Sequence, residues 1–573
     1  MTKSIYELLD KNCIDEIANM PYCCNPLTVA GSKKKPRLVL DLRHVNEYLD
    51  FPKFKYEDLK TARQYFEKDA YLITFDLKSG YHHISINENY RKYLGFAWKF
   101  PDEKVRYFQF KVLPFGLASA CYVFTKLMRP LVKKWRSQGI KRTMYLDDGI
   151  QTARSFEICF EQGVVMKNDM KSAGLTVNFQ KSNFYPSQIG NWLGFDINTN
   201  TMKFFVTKQK IADLLSLLSD ISKSDVASAR QVSKIAGRII SMQLAIGPIA
   251  RLFTKQMYFF VENSTTWDST AAIDKNLNQE INFWLNNLKK HNGFEIKVNH
   301  AISKVVYSDA SDTGYGGYAV QKLGNIIAKG NFLPCERNTS STCRELLAVK
   351  FILSSLTTEL ANQTVQWFSD NTSTTRIIEV GSSKLHLQLI AIDIFDICIV
   401  YNIKLIPSWI PREWNEEADY YSKLNDTDNW GVDFETFKFI QSKFGEFTID
   451  RFADENNKKV VHFNSKFYCP LTTGVNAFTF NWSTHFNWLC PPVHLIGDVI
   501  NHMRICKAKG ILLTPLWTSS YFWPLITSNG KQFNNFVKDH LLLDPFYLNF
   551  SKGKSVFEGF VNFLTIAILI DFD

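Results

Sequence analysis

No Cys-x-x-Cys pair occurs among the eleven cysteines of this chain, and no Cys/His cluster has zinc-site spacing. A zinc module and a disulfide framework are both disfavoured, and the cysteines read as reduced thiols. No apolar run reaches the ~20 residues a membrane helix needs. The longest, residues 556–570, is interrupted by Glu558 and Asn562 and reads as a buried helix or strand. The N-terminus, MTKSIYELLDKNCIDEI, has the period of an amphipathic helix and not the profile of a secretory signal. These absences lead to the expectation of an intracellular protein, in cytoplasm or nucleus, without a membrane partner. Internal repeats and low-complexity tracts are missing too. With 45% hydrophobic and 21% charged residues, the 573-residue chain should bury real cores in roughly three to five domains.

The first half is also poor in acid. Residues 1–200 hold 30 Lys+Arg against 21 Asp+Glu, residues 201–300 add a further excess of 5, and the remainder is slightly acidic. A basic half of this kind suits a polyanion such as nucleic acid, although a solvated basic face would look the same. Short β-type runs at 37–42, 71–75, 107–112 and 142–146 alternate with helical patches at 118–134 and 156–173. Residues 205–290 are mostly helical in period. Residues 303–425 return to an α/β pattern, 426–446 read as a polar link, and 447–573 are aromatic-rich and mixed.

Against this background Tyr145-Leu146-Asp147-Asp148 stands out. A hydrophobic run leads in and Gly149-Ile150 leads out, as in a β-hairpin with two carboxylates at its tip. Adjacent acids repel unless a cation sits between them. Residues 71–75 deliver Asp76 at another strand end. If those strands are neighbours, three carboxylates converge, a hard oxygen set suited to two Mg²⁺ ions, with Mn²⁺ as a substitute. Alone, Asp-Asp-Gly would be a surface turn. It does not stand alone: Asn25-Pro26-Leu27, Arg37-Leu38-Val39-Leu40-Asp41-Leu42-Arg43, Phe75-Asp76-Leu77-Lys78-Ser79-Gly80-Tyr81, Leu94-Gly95-Phe96, Leu113-Pro114-Phe115-Gly116-Leu117 and Trp192-Leu193-Gly194-Phe195 occur in order around it.

Over about 230 residues this series resembles the reverse transcriptase family. The resemblance implies that Asp76, Asp147 and Asp148 hold the metals. It implies that Arg37, helped by Lys33, Lys34 or Lys35, clamps the incoming triphosphate, and that Tyr81 sits under the sugar and rejects a 2′-hydroxyl. Phe115 and Gly116 would line that pocket, Lys181 would give a proton to pyrophosphate, and Trp192, Leu193 and Gly194 would position the primer end. Residues 205–260 look like the thumb, with Lys234 and Arg238 at i, i+4 on one helix face to meet phosphates.

A second set of acids follows. Asp309 ends a strand and a Gly-rich turn over 311–317 comes next. Glu345 opens a helix, Asp370 ends another strand, and Asp419 starts another helix. Asp, Glu, Asp, Asp on strand, helix, strand and helix resembles ribonuclease H across residues 303–425, which again implies two Mg²⁺ ions. Many members of that family carry a histidine where this chain has Trp409, which puts turnover or product release in question. Asp312-Thr313-Gly314 matches the aspartic protease triplet, but its Gly-rich hairpin setting argues against that use.

Residues 447–573, with Cys490-Pro491-Pro492-Val493, look like the segment that follows ribonuclease H in tyrosine-recombinase (DIRS-like) retrotransposons. That segment is similar to adenine-N6 methyltransferases, whose loop reads Asp/Asn-Pro-Pro-aromatic. Cysteine and valine replace its two working residues, which implies an inactive fold. A generic α/β interaction domain is the competing reading.

The expected fold class is multidomain α/β and α+β: a right-hand polymerase, then a ribonuclease H-like α/β domain and a small α/β C-terminal domain. Fingers and palm are expected over 1–200, thumb and connection over 201–300, the ribonuclease H-like domain over 301–425, a linker over 426–446 and the methyltransferase-like domain over 447–573. The expected enzyme copies RNA or DNA into DNA and cleaves RNA in RNA:DNA hybrids. Its partners would be an RNA template, a DNA primer, the hybrid and dNTPs. A decayed element product that binds nucleic acid without catalysis is the alternative.

Overall fold

The computed structural model describes residues 1–573 except 33–34, 298–300, 425–429, 546–548, 552–556 and 558–562. It contains two compact units, residues 1–250 with 264–299, and residues 251–263 with 300–573. Residues 251–263, expected in the thumb segment, therefore belong to the second unit. Among the described residues, no helix is long and apolar enough to cross a membrane.

In the first unit β1 (Leu27–Ser32) and β2 (Lys35–Leu40) pair as an antiparallel hairpin. Strand β3 (Tyr71–Asp76) buries Leu72, Ile73 and Phe75. Helix α1 (Ala120–Ser137) is followed by β4 (Lys141–Tyr145), β5 (Asp148–Ala153), α2 (Phe156–Ser172) and β6 (Asn183–Ser187). The sheet order is β4-β5-β3-β6, so the strand ending on Asp76 lies beside the strand starting on Asp148. Phe124, Met128 and Trp135 of α1 and Met166 and Met170 of α2 pack with Phe75 to form the core beneath these strands. Buried in it is Arg142, its guanidinium 3.7 Å from the Trp135 ring centroid, with Nη2 3.3 Å from Met144 Sδ. A cation–π contact of this kind offsets part of the cost of burying a charge without a carboxylate.

Four antiparallel strands follow in order: β7 (Ile189–Trp192), β8 (Phe195–Asn198), β9 (Lys203–Val206) and, from further along the chain, β10 (Phe294–Glu295). Helices α3 (Lys208–Ser222), α4 (Ala229–Ser241) and α5 (Lys275–His291) bury Leu214, Leu218, Val232, Ile235, Ile239, Ile281 and Trp284 at helical spacing. Ser228 caps α4 by a reciprocal bond with Gln231.

The second unit opens with β11 (Lys304–Ala310), β12 (Gly314–Ala319), β13 (Ile326–Asn331) and α6 (Ser341–Ser355). Then come β14 (Thr364–Ser369), β15 (Lys404–Trp409) and α7 (Glu416–Lys423). The order β13-β12-β11-β14-β15 has antiparallel pairs on one side of β11 and parallel pairs on the other. The Gly-rich stretch expected as a turn is mostly strand β12. A Cβ at Gly316 would fall 2.3 Å from Ser422 N, and one at Gly317 would fall 2.3 Å from Tyr307 O. These glycines admit α7 and the neighbouring backbone rather than a bend.

The expected linker is also corrected. Residues 425–429 lie outside the described residues, but β16 (Trp430–Val432) and α8 (Phe434–Phe444) are folded. Trp430, Val432, Phe437 and Ile440 are buried with Trp488 and Phe557 in the C-terminal core. That core covers a sheet of β17 (Ile449–Asp450), β18 (Phe486–Leu489), β19 (Lys509–Pro515), β20 (Val537–Leu543) and β21 (Thr565–Asp571). Its order is β17-β18-β19-β21-β20, with the first three strands parallel. The described part of the 556–570 apolar run is thus mainly strand.

Candidate active sites

Asp76 and Asp148 are direct partners in the antiparallel register of β3 and β5. The β4–β5 turn consists of Leu146 and Asp147. Leu146 adopts φ +52°, a conformation usually left to glycine. Leu77 N donates to Asp147 O at 2.9 Å and ties the turn to the end of β3. Behind Asp76, Asn178 Nδ2 donates to its carboxylate at 2.8 Å, and Asp76 N donates to the Ser182 hydroxyl at 3.0 Å. Lys181 Nζ lies 3.2 and 3.1 Å from the two Asp76 oxygens. Burial, and then the charges of Asp147 and Asp76, push the Asp148 carboxyl up to about 6. Burial and the mutual repulsion of the carboxylates raise Asp148, and the donors are all hard oxygens. That set fits a divalent cation such as Mg²⁺.

The β7–β8 turn closes the same space. Leu193 and Gly194 have φ of +49° and +78°, and Trp192 pairs with Phe195 across them, as in a type I′ hairpin. Asp76, Asp148, Lys181, Trp192, Leu193 and Gly194 line one cavity of about 480 Å³. The sequence placed Trp192, Leu193 and Gly194 at the primer end, and the fold sets them against the carboxylates. The Trp192 indole N–H is buried without a partner.

The Tyr81 ring packs 5.3 Å from Phe115 and 5.7 Å from Phe124. Its hydroxyl lies 2.8 Å from Cys121 Sγ, and burial followed by that thiol raises its pKa. Gly116 has φ +111°, and a Cβ there would sit 2.0 Å from Leu40 O. Asn46 braces this loop, donating to Gly116 O at 3.0 Å and accepting from Ala118 N at 2.8 Å. Asn46, Cys121, Asn178 and Ser182 carry no motif signal and were not expected. Lys33 and Lys34, and the side chains of Lys35 and Arg37, lie outside the described residues; the Arg37 backbone pairs with Ala30. Lys234 and Arg238 occupy the outer face of α4, opposite its buried apolar stripe, and do not line the carboxylate cavity.

In the second unit Asp309 near the end of β11, Glu345 in α6 and Asp370 just after β14 each offer an oxygen, all within 4.8 Å of one another. Burial is the first cause that raises all three, and at Glu345 the charges of Asp309 and Asp370 follow. Glu345 Oε2 is buried without a hydrogen bond. Such an under-satisfied acidic cage fits a dication. Ser422 donates to Asp309 at 2.7 Å, and Asn415 donates to Ser308 O at 3.0 Å.

Asp419 lines the same cavity of about 580 Å³ but stands outside that compact trio. Arg412 reaches it at 3.3 Å and Lys423 at 2.6 Å. Burial works to raise its pKa, and the two cations outweigh it and hold the group below the ordinary value. Trp409, at the position where the ribonuclease H resemblance leads one to expect histidine, donates from Nε1 to Asp370 O at 2.8 Å. Asp312 of the protease-like triplet is paired with Arg344 at 2.6 Å.

In the C-terminal sheet, Cys490 follows β18 and is fully buried. Its Sγ reaches Trp430 O at 3.4 Å, while the Trp430 indole donates to Pro491 O at 2.8 Å and stacks on Phe557 with centroids 4.5 Å apart. The chain's own indole thus covers the Pro-Pro loop.

Residues 28–197 match the family described as reverse transcriptase (RNA-dependent DNA polymerase). The genome polyprotein of Petunia vein clearing virus is 24% identical over 325 residues, covering 55% of this chain and 14% of that protein. The putative enzymatic polyprotein of Cassava vein mosaic virus is 23% identical over 419 residues, covering 69% of this chain and 59% of that protein. A Pol polyprotein from transposon opus of Drosophila melanogaster is 21% identical over 286 residues, covering 49% and 27%. The chain therefore spans only part of the curated relatives it matches. A solved foamy viral protease-reverse transcriptase in complex with RNA/DNA hybrid is similar at a TM-score of 0.46 and 15% identity, covering 71% of this chain and 53% of that one. Residues 28–197 thus match the reverse transcriptase family and are similar to the Pol-like polyproteins of retroelements and pararetroviruses.

Proposed function

We propose that this chain copies RNA and DNA templates into DNA and cleaves the RNA of RNA:DNA hybrids. The reading rests above all on Asp76 and Asp148, held opposite each other beside Asp147 within the matched segment. Mg²⁺ bound by these three carboxylates would supply Lewis-acid activation of a primer hydroxyl and neutralise the leaving group. Asn178 and Ser182 keep Asp76 oriented. Lys181, already at Asp76, stands where it can pass a proton to departing pyrophosphate. Tyr81, fixed by Phe115 and Phe124, sits beneath the sugar and selects deoxynucleotides, and Gly116 lets the loop close on Leu40. Arg37 with the adjoining lysines would hold the triphosphate. The turn at Trp192, Leu193 and Gly194 would seat the primer, and Lys234 and Arg238 would meet duplex phosphates.

Asp309, Glu345, Asp370 and Asp419 would hold Mg²⁺ for hybrid cleavage, where the ion would activate water. Asp419 must first exchange its two cationic partners, Arg412 and Lys423. A DIRS-like affiliation, with residues 447–573 as an inactive methyltransferase-like domain, is part of this proposal. It is favoured by three parallel strands, the middle one of which leads into the Pro-Pro loop, and by Trp430 covering that loop.

The test uses poly-rA/oligo-dT with dTTP and Mg²⁺, and a labelled hybrid for cleavage, on one preparation. Asp370→Asn should lose cleavage and keep synthesis. A decayed binding protein would give neither activity while retaining the hybrid.

A further inference from the structure

Helix α1 carries Lys126, Arg129, Lys133 and Arg136 at spacings of three, four and three residues, which places them along one face. Lys126, Arg129 and Lys133 are exposed. They border a groove of about 960 Å³ whose other wall holds exposed Lys55 and whose inner end is formed by Met144 and Leu146. Glu57 is the one acid lining this groove, and it is already engaged by Arg136 at 2.8 Å and by Met144 N. Lys55, Arg129 and Lys133 have no carboxylate partner among the described residues, and Lys126 rests only on the Tyr122 ring. Four like charges converging on a concavity repel one another, and a solvated face gains nothing from gathering them there. At about 1.5 Å of rise per residue the stripe is about 15 Å long. That equals about four nucleotides of one duplex strand at 3.4 Å each.

We infer that this groove is a second nucleic-acid surface, which binds the phosphodiester backbone of a strand running past the Leu146 flank of the catalytic hairpin. It is separate from the carboxylate cavity, which shares none of its lining residues. The inference rests on the polymerase reading for the identity of its partner. The strand is either part of the primer–template duplex or its single-stranded overhang, and the shared chemistry is a run of phosphates.

The experiment measures binding of the full chain by fluorescence anisotropy across a salt series. The probes are a blunt RNA:DNA hybrid, the same hybrid with an RNA overhang, and the single-stranded RNA alone. The variant carries Lys126→Gln, Arg129→Gln and Lys133→Gln, all surface changes that spare the core. Each phosphate that the variant no longer neutralises reduces the slope of log K against log salt by about 0.7 for single strands and about 0.9 for duplex. The variant's slope should therefore fall by about 2 to 3. A fall on the blunt hybrid assigns the groove to duplex, and a fall confined to the other two probes assigns it to the overhang. An unchanged slope on all three, or no binding by the parent chain, overturns the inference. Absence of primer extension by the parent would instead count against the polymerase reading and leave the binding result standing.

Discussion

Asp76 and Asp148 are direct partners across adjacent antiparallel strands, and the charges of Asp147 and Asp76 add to burial in raising the Asp148 carboxyl. Such an arrangement stores repulsion that a bound dication relieves. Asp148→Asn should therefore leave the metal-free protein as stable as the parent or more so, and should shrink the rise in melting temperature produced by Mg²⁺. A ligand at ten times its Kd adds about 1.4 kcal/mol. A variant that is less stable without metal and responds equally to Mg²⁺ would make Asp148 a structural residue.

Gly116 cannot take a side chain, because its φ is +111° and the Leu40 carbonyl occupies the Cβ position. Gly116→Ala should cost about 3 kcal/mol or more in urea unfolding. A cost below about 1 kcal/mol would show that the loop relaxes freely.

Glu67 is bonded to Lys141 and Arg154, in that order of effect, and its pKa is lowered to about 2. Because the folded value lies below the unfolded one, the stabilisation is present above about pH 4.5. It is lost as pH falls towards 2. The site is a third exposed, so Glu67→Gln should cost under about 1 kcal/mol at neutral pH. Parent and variant should converge in acid melts. A constant difference down to pH 2 would remove the ion pairs as its cause.

Trp409 brings no titratable group to the cage of Asp309, Glu345 and Asp370, and its indole N–H is bonded to Asp370 O. Trp409→His should raise cleavage turnover and add a pH limb near ~6.5, while synthesis is unaffected. Trp409→Phe, which loses the bond to Asp370 O, should lower turnover. A flat pH profile in the histidine variant would show that this position takes no part in proton transfer.

How far the sequence could be read depends on where each residue's partner lies. The Asp147 hairpin was legible because alternating apolar residues, two acids and a glycine are all local. The same holds for the strand that carries Asp309 near its end. The glycines at 314, 316 and 317 misled because they make room for packed neighbours and not for a bend: Gly330 and Tyr307 backbone at 314 and 317, and Ser422 and Tyr421, about a hundred residues further on, at 316. Residues 430–444 passed for a link because Trp430 and Phe437 find their partners in Trp488 and Phe557. Asn178 behind Asp76, and Arg412 and Lys423 on Asp419, are ordinary surface-type residues until the fold brings them to a carboxylate.

The most direct measurement is dTTP incorporation on poly-rA/oligo-dT by the parent chain and by Asp147→Asn, each with and without Mg²⁺. Mg²⁺-dependent extension by the parent and its loss in the variant, with hybrid cleavage intact, are the expected results. Equal extension by both proteins would contradict the polymerase reading.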